Sequence, residues 1–137
     1  MTMLAILKRP IKDLRWRLRR RRAAARGGPN RLEELPILLG NSMPKSGSHL
    51  LIQVLQGFLQ LGPFVDPGMP PLTRSESNQN LSDPQVMARL RQLRAGDIAY
   101  AYLHAREPFL DAVQDPKMAT FFIYRDPRDV IISHVFY

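Results

Sequence analysis

The stretch 40–51 combines residue types that can hold an anion, with the sequence GNSMPKSGSHLL. It follows one apolar run and leads into another, a pattern that predicts a strand, a loop and the start of a helix. The first N–H groups of a helix and the positive end of its dipole favour a bound anion. Gly47 lets a ligand approach the backbone closely, and Lys45 adds a mobile cation. The stretch therefore predicts a cradle for phosphate or sulfate, although its spacing is not that of the G-x-x-x-x-G-K-[ST] loop.

A second polar stretch, 124–137, has the sequence YRDPRDVIISHVFY. Arg125 ends a predicted strand, and Asp126 and Pro127 are typical of the N-cap and first position of a helix. Ser133 lies seven residues past the cap, so two helical turns bring its hydroxyl back to nearly the same face. Because arginine makes forked, charge-assisted contacts with phosphate, Arg125 and Ser133 could share one phosphate group.

The elements that position these residues alternate along the chain. Apolar runs predict strands at 35–39, 98–103 and 118–124, and helical periodicity, caps and stop signals predict helices at 48–61, 84–95, 107–114 and from 127 onward. In the second helix we assign the N-cap to Asp83, and Gly96 follows its end. Residues 62–82 are rich in Pro, Gly, Ser and Asn, which predicts a long loop that serves as a lid or binding loop. The pattern predicts an α/β fold with a mostly parallel sheet flanked by helices.

The predicted sheet also predicts where the polar residues meet. In open parallel sheets, ligands collect at the carboxyl ends of the strands. The loop 41–48 follows the first strand, His104 follows the second, and Arg125 follows the third. We therefore expect all three to lie at one edge of the sheet.

Composition limits the classes of protein to consider. The chain has 137 residues, of which 45% are hydrophobic and 23% are charged, as in an ordinary globular domain. It contains no cysteine, which excludes a disulfide framework and a thiolate metal site and fits a reducing compartment. No apolar run approaches the roughly 18 residues that suggest a membrane span. The predicted location is cytoplasmic, and membrane-peripheral if the basic N-terminal region binds lipid.

The net charge of +8 is concentrated at the N-terminus. Residues 1–31 hold 11 of the 20 basic residues and one acid, Asp13, a balance of +10 that leaves 9 basic and 11 acidic residues, or −2, for 32–137. We interpret 1–31 as a basic arm that ends in a linker at 27–30. Such an arm could lie on an anionic membrane surface, bind nucleic acid, target the chain to an organelle, or remain solvated. No motif that reads bases is present, so no specific nucleic acid is expected.

Three stretches resemble motifs of one enzyme family. PKSGSHLL is similar to the PKSGTTWL loop of cytosolic-type sulfotransferases that use 3'-phosphoadenosine 5'-phosphosulfate (PAPS), and YRDPRDVIISHVFY is similar to their R-N-P-K-D-x-x-x-S motif. Between them, AYLHAREPFL resembles the K-T-H-L-P segment that carries the family's catalytic histidine. The resemblance covers 35–137 and implies a P-loop-like sheet. Because the family fold continues with further helices and a later phosphate loop, 32–137 is predicted to be the N-terminal part of a sulfotransferase domain.

The resemblance implies a role for each matching residue. Those that fall on the 5'-phosphosulfate loop are Lys45, Ser46, Gly47, Ser48 and His49, and those that fall on the 3'-phosphate contacts are Arg125 and Ser133. His104 falls on the general base, and Lys45 would also neutralise charge on the oxygen that leaves the sulfuryl group. PAPS is then a co-substrate, the acceptor is a hydroxyl or amine on a small molecule or glycan, and no metal is needed.

Three departures from the family pattern bear on the predicted site. His49 replaces the second threonine of the loop, Leu50 stands at its tryptophan, and Tyr102 stands at the lysine of K-T-H. These changes alter cofactor contacts, the packing of the acceptor pocket and the charge near the sulfuryl group.

Other interpretations stay open at the sequence level. Ser46 or Ser48 could simply cap a core helix, Arg125 could pair with Asp129, and His104 could be hydrogen-bonded at a strand end. A P-loop-type nucleotide kinase would need the Gly-Lys order and an acidic magnesium ligand at a strand end, whereas Asp97 begins its strand. A non-catalytic membrane or nucleic-acid interaction module would explain only the basic arm.

Overall fold

A computed structural model describes the backbone of residues 3–136 and the side chains of 11–28 and 31–136. The elements are α1 Met3–Gly27, α2 Pro29–Glu33, β1 Ile37–Ser42, α3 Ser48–Leu61, α4 Asp83–Gln92, β2 Ile98–Ala101, α5 Phe109–Val113, β3 Met118–Ile123 and α6 Pro127–Val135. From β1 onward each strand is followed by one or two helices, which confirms the predicted α/β class.

The three strands form one parallel sheet in the order β2-β1-β3. Asn41 of the central strand lies opposite Ala101 of β2 and Phe122 of β3, so the carboxyl ends of all three strands lie at one edge. This edge is where the loops that carry the predicted site residues begin.

Successive residues of β1 bury opposite faces of the sheet, as the two-residue period of a strand requires. Leu38 packs with Leu51 and Leu55 of α3. Leu39 belongs to the cluster built with α4, α5 and the 62–82 loop. Gly40 allows α3 to lie close, because a Cβ there would stand 2.5 Å from Leu55 Cδ1. Helices on both faces therefore hold the central strand, and the loop after it, in a fixed position.

The observed bounds agree with the predicted ones at α3 and differ at β1. The predicted strand 35–39 is displaced to Ile37–Ser42. Pro36 has no N–H to donate, and the ladder to β3 starts at Ile37. Asn41 and Ser42 continue the ladder despite their polarity, because each has a backbone partner on β3.

The N-cap of α4 is Ser82 rather than Asp83, a correction to the prediction. The Ser82 N–H donates to Gln85 Oε1 at 3.0 Å, which is half of a capping box. The helix ends at Gln92, and Gly96, with φ 78°, lies in the turn before β2 rather than directly after the helix. Residues 62–82 contain no helix or named strand, as predicted.

The N-terminal region is a helix that packs on the domain. The predicted linker at 27–30 covers the end of α1 at Gly27 and the start of α2 at Pro29, and only Gly28, with φ 85°, separates the two helices. Trp16 and Ala23 of α1 are buried with Leu32 and Val65. The inward face of α1 is thus part of the hydrophobic core and not a solvated arm.

A buried carboxylate anchors α1 to the start of β2. Asp97 is fully buried and accepts hydrogen bonds from Trp16 Nε1 at 3.1 Å, Arg20 Nη1 at 2.8 Å and the Arg94 N–H at 2.8 Å. Burial raises the pKa of Asp97 above its ordinary value near 3.8, and this desolvation outweighs the three donors, which lower the pKa. The carboxylate links helix, turn and sheet at one point.

The edge of the sheet formed by β3, together with α6, is less covered than the central strand. Phe122 of β3 is 56% exposed, and α6 contributes no buried residue although it carries Ile131, Ile132 and Val135. Within residues 3–136, no helix combines the length and apolarity needed to cross a membrane.

Candidate functional site

The loop between β1 and α3 is a tight turn in which two residues have left-handed backbone conformations. Lys45 has φ 63° and Gly47 has φ 102°, and the Ser46 N–H closes the turn by donating to Met43 O at 3.3 Å. The conformation suits glycine at 47, where a side chain would be strained and its Cβ would lie 3.1 Å from Ile123 Cδ1. No side chain caps the start of α3. The N–H groups of the first turn of α3 therefore face the loop without a side-chain cap.

The two predicted serine ligands of this loop have different surroundings. Ser46 is buried, and its hydroxyl donates to Met43 O at 2.5 Å, while Ile123 O at the end of β3 lies 3.5 Å away, so the serine closes the turn and packs it against β3. The Ser48 hydroxyl accepts a bond from Ser42 Oγ at 3.0 Å, which leaves its own hydrogen for another acceptor. Ser46 thus shapes the cradle, and Ser48 keeps a donor at the first position of α3.

Two further predicted site residues, one in the loop and one just after it, lie at the surface. Lys45 and His49 are exposed, the first at the turn and the second in the first turn of α3. Leu50, at the position of the family's tryptophan, is 58% exposed. A cation and an imidazole are therefore exposed next to the uncapped start of α3.

The predicted base, His104, is exposed in the segment after β2. Asn41, on the neighbouring strand, holds this segment with both ends of its amide. Its Oδ1 accepts from the Leu103 N–H at 2.8 Å, and its Nδ2 donates to Leu103 O at 3.2 Å. Asn41 therefore positions the residue immediately before the histidine. This role was not predicted from the sequence, and the signal for it is a polar amide directly after the apolar part of β1.

The third segment begins where β3 ends. Arg125 Nε donates to Asp129 Oδ2 at 3.4 Å, in an ion pair whose side chains are about half exposed. The ion pair with Asp129, which was the alternative interpretation of Arg125, is therefore present. Exposed pairs of this kind contribute roughly 0–1 kcal/mol, so a bound phosphate could displace the carboxylate. Ser133 lies half-buried in α6, two turns along.

Asp126 is the N-cap of α6, as predicted. Its Oδ1 accepts from the Arg128 N–H at 2.9 Å, and its carboxylate also binds the Arg128 guanidinium, with Nη2 2.6 Å from Oδ2. The guanidinium and the backbone bond lower the pKa of the Asp126 carboxyl. The cap therefore stabilises α6 above the carboxyl's unfolded-state pKa, and this contribution is lost as the pH falls through the lowered value.

The structure brings the three segments to one edge of the sheet. Two contacts tie them to the central strand and its loop: Ser46 to Ile123 O at the end of β3, and Asn41 to Leu103 after β2. The arrangement can present a cation, a helix start and an imidazole to one anionic ligand. Among the described residues, no group of three or more His, Cys, Asp or Glu could hold a metal ion.

A cavity of about 250 Å³ lies nearby, between α3, β2 and the 62–82 loop. Ile52 and Leu55 form its α3 wall, Tyr100 its β2 wall, and Asp66 and Met69 its loop wall. Burial is the largest of the causes that raise the pKa of Tyr100. None of the predicted site residues lines this cavity, so the loop between β1 and α3 lies outside it.

Comparison with known proteins adds no family assignment. No protein-family model, curated protein or solved structure matches the chain.

Proposed function

We propose that the protein is a PAPS-dependent sulfotransferase, which transfers a sulfuryl group from PAPS to a hydroxyl or amine acceptor. The observation that carries the proposal is the strand–loop–helix unit at the carboxyl edge of a parallel sheet, where Lys45 and Gly47 have left-handed backbones and no side chain caps α3. Phosphate and sulfate groups bind such helix starts. The P-loop-like character of the fold is part of the proposal.

The positions of the other segments support the same ligand. The chain after β3 supplies Arg125 at the edge where the anion loop ends, and α6 supplies Ser133 two turns past its cap. An adenosine nucleotide with phosphate groups at the 5' and 3' positions of its ribose needs two separate anion-binding contacts. The loop is assigned to the 5' group, and Arg125 and Ser133 are assigned to the 3'-phosphate.

The chemistry assigns one task to each side chain. As the acceptor oxygen or nitrogen bonds to sulfur, the bond from sulfur to the bridging oxygen breaks, and 3'-phosphoadenosine 5'-phosphate leaves. Lys45 neutralises the charge that develops on the bridging oxygen. His104 takes the proton of the acceptor, and Asn41 keeps the chain before the histidine in place. The acceptor's proton ends on the imidazole and the sulfuryl group ends on the acceptor.

Replacing Lys45 with alanine is expected to weaken binding of 3'-phosphoadenosine 5'-phosphate. Losing a charged contact to phosphate costs about 1.5–3 kcal/mol of binding free energy, which is roughly 10- to 150-fold in Kd. Titration calorimetry with the purified chain measures this directly.

Lys117→Ala is the matched control for charge, because Lys117 is exposed in the turn before β3, at the opposite edge of the sheet. It should bind the nucleotide like the wild type. If Lys45→Ala binds as tightly as Lys117→Ala, the loop is not the phosphosulfate cradle.

A further inference from the structure

The outward face of α1 carries a defined pattern of apolar and basic side chains. Trp16, Arg20 and Ala23 face the domain. At 3.6 residues per turn, Ile11, Leu14 and Leu18 lie within about 60° of one another on the roughly opposite side. These three apolar side chains are 51%, 58% and 43% exposed. The helix therefore has a second apolar stripe, and the domain does not cover it.

Exposed arginines border this stripe on both sides. Helical geometry places Arg15 and Arg22 along one margin and Arg17 and Arg21 along the other. Within the described part of the chain, the ion pairs of α1 use other residues, namely Lys12, Arg19 and Arg20. The four flanking arginines thus surround an apolar centre with positive charge.

We propose that this outward face binds the surface of an anionic phospholipid bilayer. Leucine and isoleucine would enter the boundary between headgroups and acyl chains, while the flanking arginines would extend to the lipid phosphates. Nucleic acid would use the arginines but not the apolar stripe, so the pattern favours lipid. The inward face stays anchored through Asp97, so the domain lies against the membrane with its helix in place.

This inference does not depend on the sulfotransferase proposal. It uses only α1, whose contacts with the domain involve Trp16 and Arg20, and none of the residues assigned to the nucleotide. Its failure would leave the function of the sheet edge untouched.

The first arm of the test removes the apolar stripe. Co-sedimentation of the full chain is measured with phosphatidylcholine vesicles that either contain or lack phosphatidylserine. Leu14→Gln/Leu18→Gln should weaken binding to the serine-lipid vesicles about 10-fold or more, since two inserted side chains are lost. The control is Ile131→Gln/Val135→Gln, which changes two exposed apolar residues at the same spacing on α6 and should bind like the wild type.

The second arm removes charge. Arg15→Gln/Arg22→Gln should weaken binding about 10-fold or more and reduce its salt dependence. Arg91→Gln/Lys117→Gln removes the same charge from other exposed positions and should have a much smaller effect.

Three results would overturn the inference. One is unchanged vesicle binding by the leucine variant, and another is equal binding with and without phosphatidylserine. The third is binding to duplex RNA that depends on the arginines and not on the leucines, while the vesicles remain unbound, which would assign the surface to nucleic acid. Circular dichroism of each variant establishes that α1 is still folded.

Discussion

Replacing His104 with alanine is expected to lower kcat for sulfuryl transfer by about 10²- to 10⁴-fold, because the acceptor loses its general base. PAPS affinity should stay close to that of the wild type, since His104 follows β2 and is assigned to the acceptor rather than to the nucleotide. Initial rates with labelled PAPS, at a saturating concentration of the best acceptor from a panel, give kcat. Titration with 3'-phosphoadenosine 5'-phosphate gives the affinity.

His134→Ala is the control, because His134 is another exposed histidine, on α6, without an assigned role. It should retain kcat. Near wild-type turnover by His104→Ala would exclude histidine as the base and transfer the role to another group, with Tyr102 the first to test. Lys45→Ala should differ from both, because it is expected to lower kcat and nucleotide affinity together.

Replacing Arg20 with alanine is expected to lower the free energy of unfolding by about 3–5 kcal/mol. The substitution leaves the fully buried Asp97 carboxylate without its charged partner, which donates at 2.8 Å. Trp16 and the Arg94 N–H remain as neutral donors. Urea unfolding monitored by tryptophan fluorescence suits this measurement, because Trp16 is the chain's one tryptophan and lies at the same contact.

The control is Arg19→Ala, one residue earlier on α1. Arg19 pairs with Asp66 at 3.8 Å between side chains that are both more than 40% exposed, and such pairs contribute roughly 0–1 kcal/mol. A loss for Arg20→Ala no larger than that for Arg19→Ala would show that Asp97 does not anchor the helix.

Because the pKa of Asp97 is raised, the loss of stability caused by Arg20→Ala should depend on pH. The folded protein binds this proton more tightly than the unfolded chain, so the carboxyl's contribution to stability is greatest below pH 3.8 and falls as the pH rises through the raised value. Removing Arg20 raises the folded-state pKa further. The difference in stability between Arg20→Ala and the wild type should therefore shrink as the solution is acidified toward pH 4.

Local patterns were enough to predict the elements near the site. The bounds of α3 follow from the apolar period between the loop and Gly62, and the start of α6 follows from Asp126 and Pro127. Alternation of strands and helices predicted a parallel sheet, and the shared carboxyl edge follows from that geometry.

Contacts between distant residues could not be predicted in the same way. Trp16 and Asp97 are 81 positions apart, and the residues around each of them do not predict a contact with the other. The arginine-rich composition of 1–31 predicted a basic arm outside the domain, but one stripe of α1 packs on the core. Asn41 and Leu103, 62 positions apart, are joined by a register that only the assembled sheet defines.

The dependence of nucleotide binding on the 3'-phosphate tests the central claim most directly. Calorimetric titration compares 3'-phosphoadenosine 5'-phosphate with AMP for the wild type, for Arg125→Ala and for the control Arg91→Ala, which changes an exposed arginine on α4. The wild type and the control should prefer the bisphosphate. Arg125→Ala should lose about 1.5–3 kcal/mol of its binding free energy while its AMP affinity stays unchanged. Equal affinity of the wild-type chain for the two nucleotides would contradict the assignment.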